Sequence, residues 1–155
     1  MKKLMSILFI AVFFASCSSD DDNDAVESSI VGAWTLKEAN VENPMDINGD
    51  GTADPNFMNE VPCFVGTLSF TGDGIYAQTF SNLIVEEVNG EISVECDGTV
   101  ASTGTYSLNG DQLTVTTTGP DPTTETRTID LNGNTLKGSI QLGDFGNVEL
   151  VYNRN

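Results

Sequence analysis

A five-residue pattern that occurs four times is the feature that most restricts how this chain can fold. Each copy reads glycine, a small residue, a large apolar residue, a polar residue and a second apolar residue. The copies are Gly32–Leu36, Gly66–Phe70, Gly104–Leu108 and Gly138–Leu142. Because side chains alternate between the two faces of a β-strand, each copy predicts a strand with one buried and one solvent-exposed face. The repetition favours an all-β body.

Tight turns separate the predicted strands. Asn89-Gly90 and Asn109-Gly110 are typical of β-hairpins, because both residue types accept the positive φ that such turns need. The segments between the turns predict about eight to ten short strands and no long helix. Four of these strands are placed at 75–80, 83–88, 91–97 and 99–108. Consecutive hairpins favour a small antiparallel up-and-down β-barrel, with an open β-sandwich as the alternative.

Residues 1–16 have the features of a secretion signal. Lys2 and Lys3 precede an apolar run from Leu4 to Ala15, which is too short to span a membrane as a helix. Small residues then precede Cys17, and this arrangement resembles the bacterial lipobox, whose cysteine becomes lipidated after cleavage. The resemblance implies a membrane-anchored lipoprotein. The alternative is ordinary secretion with loss of Cys17.

Residues 17–29 are acidic and poor in apolar side chains, so they predict a flexible tether in front of a single folded domain at 30–155. The run Ser18–Asp24 resembles the acidic export signal of Bacteroidota lipoproteins. That resemblance implies a lipid-anchored position in the outer membrane with exposure at the cell surface. A plain solvated spacer is the alternative.

The charge balance excludes several functions. The sequence has 23 Asp and Glu residues against 6 Lys and Arg residues, and it has no His. Nucleic acid is a poor partner, because binding it needs a basic surface. Because the chain has no His, it cannot form Ser-His triads, Cys-His pairs or the commonest zinc sites, and we expect that it is not an enzyme. We also expect a monomer. A catalytic carboxylate pair among Glu86, Glu87, Glu91 and Glu95 is the alternative to a solvated strand edge.

Cys63 and Cys96 remain once Cys17 is used for lipidation. The export signal places them in an oxidising compartment, and their number is even, so we predict a Cys63–Cys96 disulfide. Two buried free thiols are the alternative.

The order of several short motifs resembles the lipocalin superfamily, and more closely the lipocalin-like domains of Bacteroidota surface lipoproteins. The matching motifs are Gly32-x-Trp34, Cys63, Thr71-Gly72-Asp73-Gly74-x-Tyr76, Cys96, Gly104 to Gly110 and Leu113-Thr114-Val115. The resemblance covers about residues 30–153 and implies a barrel that binds a small apolar or amphipathic ligand. Large inward side chains that fill the interior are the alternative.

Two arginines have the parity of inward residues. Arg154 shares a face with Leu150 and Tyr152, and in a closed barrel the last strand pairs with the first. We therefore expect Arg154 to stack on Trp34 and close one end of the barrel, with a frayed terminus as the alternative. Arg127 is a candidate ligand anchor inside the cavity, or else a residue that extends to water from a strand end.

A possible calcium loop lies within the long irregular segment from Val41 to Pro62. Oxygen-bearing side chains occur at alternate positions and are followed by glycine, as in the D-x-N-x-D-G-x-x-D loops of dockerin-type repeats, which this stretch resembles. The candidate ligands are Asp46, Asn48, Asp50, Thr52 and Asp54. The usual closing glutamate is missing, although Glu60 can fold back, and a run of Asx turns is the alternative. A second hypothesis for function follows: a non-catalytic module that presents a calcium-ordered loop to a protein or glycan.

Overall fold

The computed structural model describes residues 29–88 and 91–155. Eight antiparallel strands pair in chain order, and the eighth pairs with the first, which closes the sheet into a barrel. The strands are β1 (Gly32–Val41), β2 (Gly66–Phe70), β3 (Ile75–Val88), β4 (Glu91–Asn109), β5 (Gln112–Thr117), β6 (Thr124–Asn132), β7 (Thr135–Gln141) and β8 (Asn147–Arg154). The prediction of an all-β antiparallel up-and-down barrel is confirmed.

The inward positions of the alternating strands form the core. Trp34 and Val148 are fully buried, and Phe70 and Leu136 are each 2% exposed. Burying an apolar side chain of this size contributes roughly 1.5–3 kcal/mol. The inner face of the barrel is therefore the main source of its stability.

The prediction of separate strands at 75–80 and 83–88, and at 91–97 and 99–108, is wrong. Each pair is one continuous strand, β3 and β4, which remain paired on both sides of an irregularity after Ser81. There Ser81 pairs with Thr99 and Leu83 with Cys96, so β4 carries one extra residue, and Gly98 has a φ of 69°. A β-bulge of this kind bends a strand without ending its ladder, which is why turn-like residues here do not form a turn.

The β3–β4 hairpin extends past the barrel. Only Gly104–Asn109 of β4 pairs with β5, whereas β3 pairs with β4 along nearly its whole length. The predicted turn residues Asn89 and Gly90 lie outside the described residues. The predicted disulfide is confirmed and joins Cys96, in the projecting part, to Cys63, with Cα atoms 6.2 Å apart. Closing a loop of this length stabilises the fold by roughly 3–4 kcal/mol.

Residues 42–65, which we call the cap, are more ordered than the predicted irregular loop. They contain a one-turn helix, α1 (Phe57–Glu60), whose N-terminus is capped by the side chain of Asn56. The cap is joined to β1 by a bridge between Asn40 and Asn56 and by a hydrogen bond from the Val41 amide to the Pro55 carbonyl, 2.8 Å. A helix of four residues has no periodicity that a sequence pattern can reveal.

The cap is held by aromatic packing. Phe57 is 1% exposed and makes edge-to-face contacts with Phe64 and Phe145, with ring centroids 5.4 and 5.0 Å apart. Phe145 belongs to a short 3-10 helix, Gly143–Phe145, in the segment predicted as a turn before β8. No helix in residues 29–88 and 91–155 is long and apolar enough to cross a membrane.

Candidate functional site

The barrel encloses a cavity of about 500 Å³. Residues of β2, β3, β5, β6, β7 and β8 and of the end of the cap form its wall, and many of them are apolar. The apolar wall includes Phe64, Leu68, Phe70, Phe80, Leu113, Val115, Ile129, Leu136, Ile140 and Leu150. The large inward side chains therefore narrow the interior without filling it, and the space is within the range of small-molecule sites.

One end of the barrel is closed by the contact that the sequence predicts between Trp34 and Arg154. The two residues pair in the β1–β8 register, and the guanidinium carbon of Arg154 lies 4.3 Å from the centroid of the Trp34 ring. The indole Nε1 donates to the Ile30 carbonyl, 2.9 Å, and the guanidinium donates to the carbonyls of Ser29 and Val31. Neither Trp34 nor Arg154 lines the cavity, so this pair supports the barrel end.

A group of polar side chains interrupts the apolar wall, and we call it the polar cluster: Tyr76, Gln78, Glu125 and Arg127. Arg127 and Glu125 are two residues apart on β6, so they share the inner face, and both line the cavity. Their side chains form an ion pair at 2.5 Å, and they are 46% and 59% exposed respectively. On β3, the Tyr76 hydroxyl donates to the Gln78 side chain, and both residues line the cavity.

The structure thus places Arg127 in the cavity wall, where the sequence predicts a ligand anchor. Sequence reasoning missed its partner Glu125, although a signal was present, because residues i and i+2 of a strand lie on one face. The cluster holds one acid and one base side by side, and it can therefore both donate and accept hydrogen bonds.

The tyrosines of the cavity remain neutral hydrogen-bonding groups. Burial raises the pKa of Tyr76 to about 12; the positive charge of Arg127 opposes this rise and the negative charge of Glu125 adds to it. Burial likewise raises the pKa of Tyr152, with a further contribution from Tyr76 and an opposing one from Arg127. The charge of Arg127 thus favours the ionised form of both tyrosines, but burial outweighs it at each.

Glu60 organises the cap. It is 4% exposed, and its carboxylate accepts hydrogen bonds from the backbone amides of Ile47, Asn48 and Asp54, at 3.0, 3.2 and 2.7 Å. The bonds from Asp54 and Ile47 are the main reason why the Glu60 pKa is lowered, and loss of solvation partly opposes them. Glu60 does fold back over the loop, as the sequence allows.

The predicted calcium ligands are arranged as Asx turns. Asp46 accepts from the amides of Gly49 and Gly51 at 2.8 and 2.9 Å. Asn48 accepts from the Asp50 amide and Asp50 from the Thr52 amide, both at 2.8 Å, and Asp54 accepts from the Asn56 amide. Backbone amides thus donate to the side chains of four of the five predicted ligands, Asp46, Asn48, Asp50 and Asp54.

No group of three or more Cys, Asp and Glu side chains in the described ranges is arranged to hold a metal ion. Calcium binding by Asp46, Asn48, Asp50, Thr52 and Asp54 stays a prediction, and the loop has a metal-independent source of order in Glu60.

The remaining predicted residues lie elsewhere. In the β3–β4 register Ile84 pairs with Glu95, which places Glu86 and Glu95 on one face and Glu87 on the other. The side chain of Glu91 lies outside the described part of the structure, as does Cys17 with the whole signal and most of the tether.

The chain is similar to one family of known proteins and, more distantly, to two solved structures. The family model described as a lipocalin-like domain matches residues 30–138. No curated protein matches the chain. Among solved structures, fatty-acid-binding protein 1 of Echinococcus granulosus is 12% identical, with 80% of this chain and 96% of that chain covered and a TM-score of 0.34.

A brain fatty-acid-binding protein of Drosophila melanogaster, solved without citrate inside, is 18% identical, with coverage of 81% and 99% and a TM-score of 0.35. Identities and TM-scores this low do not transfer a ligand. The ligand class has to be argued from the cavity itself.

Proposed function

The chain belongs to the lipocalin-like domain family, and from this premise we propose that its barrel binds a small amphipathic ligand. The observation that carries the proposal is the cavity of about 500 Å³, whose wall combines many apolar side chains with the polar cluster. Sites for small molecules combine these features, because apolar area supplies affinity and a few polar groups fix orientation. The apolar body of the ligand lies against Leu113, Ile129, Leu136 and Leu150, and its polar head reaches Arg127.

The direction of binding follows from the two barrel ends. Trp34 and Arg154 close one end, so the ligand enters from the other, where the cap and the base of the β3–β4 hairpin lie. The polar cluster lies along the wall of the lumen, where it meets the head of a ligand whose apolar body extends deeper.

A tryptophan substitution inside the cavity tests this function. Val115 lines the cavity and is only partly buried, so Val115→Trp fills the lumen with little disturbance of the core. We expect affinity for a fluorescent polyene fatty alcohol to fall at least about tenfold, the equivalent of roughly 1.4 kcal/mol. Ser107→Trp, on the outer face of β4, is the matched control and should bind like the wild type. Equal binding by both variants would refute a cavity site.

The location proposed for this function is the outer membrane. Support comes from the sequence alone: the lipobox-like residues before Cys17 and the acidic tether that follows. A cell-surface barrel on a short tether is suited to capture small molecules near the membrane. Intact mass measurement of the mature protein tests the anchor: a diacyl or triacyl mass at Cys17 is expected, and an unmodified chain that lacks Cys17 would contradict it.

A second candidate function is a recognition module whose cap is ordered by calcium. The observation in its favour is that each side-chain oxygen used in the Asx turns of Asp46, Asn48 and Asp50 keeps a second lone pair for a cation. In that case calcium should raise the midpoint temperature of thermal unfolding of the wild-type protein, and Asp50→Ala should abolish this rise. An unchanged midpoint in both proteins rejects this function.

A further inference from the structure

We infer that the cavity prefers uncharged amphiphiles, such as fatty alcohols, over their anionic acid counterparts, because Glu125 already occupies the guanidinium of Arg127. This inference rests on the proposed function and names the class of ligand that the same site takes. The usual expectation for an arginine in an apolar barrel is a carboxylate partner from the ligand. Here the chain supplies that carboxylate itself, 2.5 Å away.

The positions of Glu125 and Arg127 on β6 keep their charged groups next to each other. Glu125 and Arg127 lie on the same face of β6, opposite Val115 and Leu113 of β5 in the register. Both neighbours are inward apolar residues that offer no alternative partner to either charge. The two charges therefore find their nearest opposite charge in each other.

The other charged residue at the cavity wall does not face the lumen. Among the described residues that line the cavity, the charged ones are Glu125, Arg127 and Lys137. Lys137 alternates with the inward Leu136, so its side chain points to the outer face, where its Nζ lies 3.6 Å from a carboxylate oxygen of Glu149. Inside the barrel, an anionic head would thus find its cation in Arg127, which already has a carboxylate partner.

An anionic ligand meets two costs. Its carboxylate either displaces Glu125 or shares one guanidinium with it, and carboxylates this close repel each other. The chain also carries 23 acidic residues against 6 basic ones, and the resulting field disfavours anions at long range.

An uncharged head that both accepts and donates hydrogen bonds avoids these costs. A hydroxyl group accepts from Arg127 and donates to Glu125 at the same time, so the ion pair stays intact. Tyr76 and Gln78 offer a further donor and acceptor in the same cluster. The polar cluster therefore matches an alcohol or amide head better than a carboxylate.

The size of the preference follows from the exposure of the ion pair. Both side chains are about half exposed, and a pair of this kind is worth up to about 1 kcal/mol. That energy corresponds to about a fivefold difference in dissociation constant. The effect is large enough to measure and small enough to leave the fold unchanged.

The experiment compares cis-parinaric acid with cis-parinaryl alcohol, two fluorescent probes with the same tail, at neutral pH. Wild-type protein should bind the alcohol about fivefold more tightly than the acid. Glu125→Gln keeps the shape of the side chain but frees the charge of Arg127 and weakens the acceptor for the hydroxyl, so it should tighten binding of the acid and remove or reverse the preference for the alcohol. Asp130→Asn is the matched control, because it removes the same charge from an exposed position of β6.

The outcomes distinguish failure of the inference from failure of the proposed function. If wild type binds the acid as tightly as the alcohol, or if Asp130→Asn tightens acid binding as much as Glu125→Gln, the inference is overturned while ligand binding itself stands. If neither probe binds wild type, and Val115→Trp and Ser107→Trp behave alike, the proposed function fails and the inference with it. A selective gain of acid binding in Glu125→Gln supports both.

Discussion

At the scale of single residues, Gly32 connects the repeated sequence pattern to the closed end of the barrel. Its φ is 144°, and a Cβ atom at this position would lie 2.6 Å from a guanidinium nitrogen of Arg154. The glycine thus makes room for the cation that covers Trp34. Parity along β1 and β8 predicts that Trp34 and Arg154 meet, but it cannot predict the glycine, because the need arises only from the packed geometry.

Substitution of Gly32 should therefore cost more than substitution of Gly138, the equivalent glycine in the fourth copy of the pattern. Gly32→Ala introduces backbone strain and pushes Arg154 off the indole, so we expect a loss of about 1–3 kcal/mol in the free energy of unfolding. At Gly138 the added atom would meet only the Ile129 side chain at 3.7 Å, and Gly138→Ala should change stability by about 0.5 kcal/mol or less. Urea denaturation measures both, and equal losses would contradict this account of Gly32.

At the scale of elements, the cap shows where sequence reasoning was incomplete. The spacing of acidic residues indicates a possible calcium loop, with a run of Asx turns as the alternative, and in the structure the carboxylate of Glu60 holds the same loop by three backbone amides. Glu60 accepts from amides 6 to 13 residues away, and such contacts leave no periodic signal. The sequence also did not predict that β3 and β4 are each one continuous strand, because a bulge and a turn use the same residue types.

The titration of Glu60 tests this description of the cap. The pKa of Glu60 in the folded protein lies below the ordinary value of 4.5. The carboxylate therefore stabilises the fold fully above pH 4.5, and this stabilisation is lost as the pH falls through the folded-state pKa. We expect the amide resonances of Ile47, Asn48 and Asp54 to report a common titration with a midpoint below 4.5, and Glu60→Gln to remove it. A midpoint at or above 4.5 would show that these hydrogen bonds do not hold the carboxylate.

At the scale of the whole molecule, strand alternation and hairpin turns were enough to predict the closed barrel, and an even number of cysteines behind an export signal was enough to predict the disulfide. The cavity was not predictable, because an internal volume depends on how side chains from six strands and the cap fill the space between them. Large inward residues such as Phe70 and Tyr152 were compatible with either a filled or an open interior. The Glu125–Arg127 pair was hidden for the same reason, since parity places both residues inside without showing which contacts they make.

The central claim is that a ligand binds inside the barrel, and exposed apolar residues offer the main competing surface. Val85 and Val100, in the projecting part of the hairpin, are 54% and 57% exposed. Nuclear Overhauser contacts between a bound fatty alcohol and assigned methyl groups distinguish the two locations directly. The account predicts contacts from the alkyl chain to Leu113, Ile129 and Leu136. Contacts confined to Val85 and Val100 would contradict it.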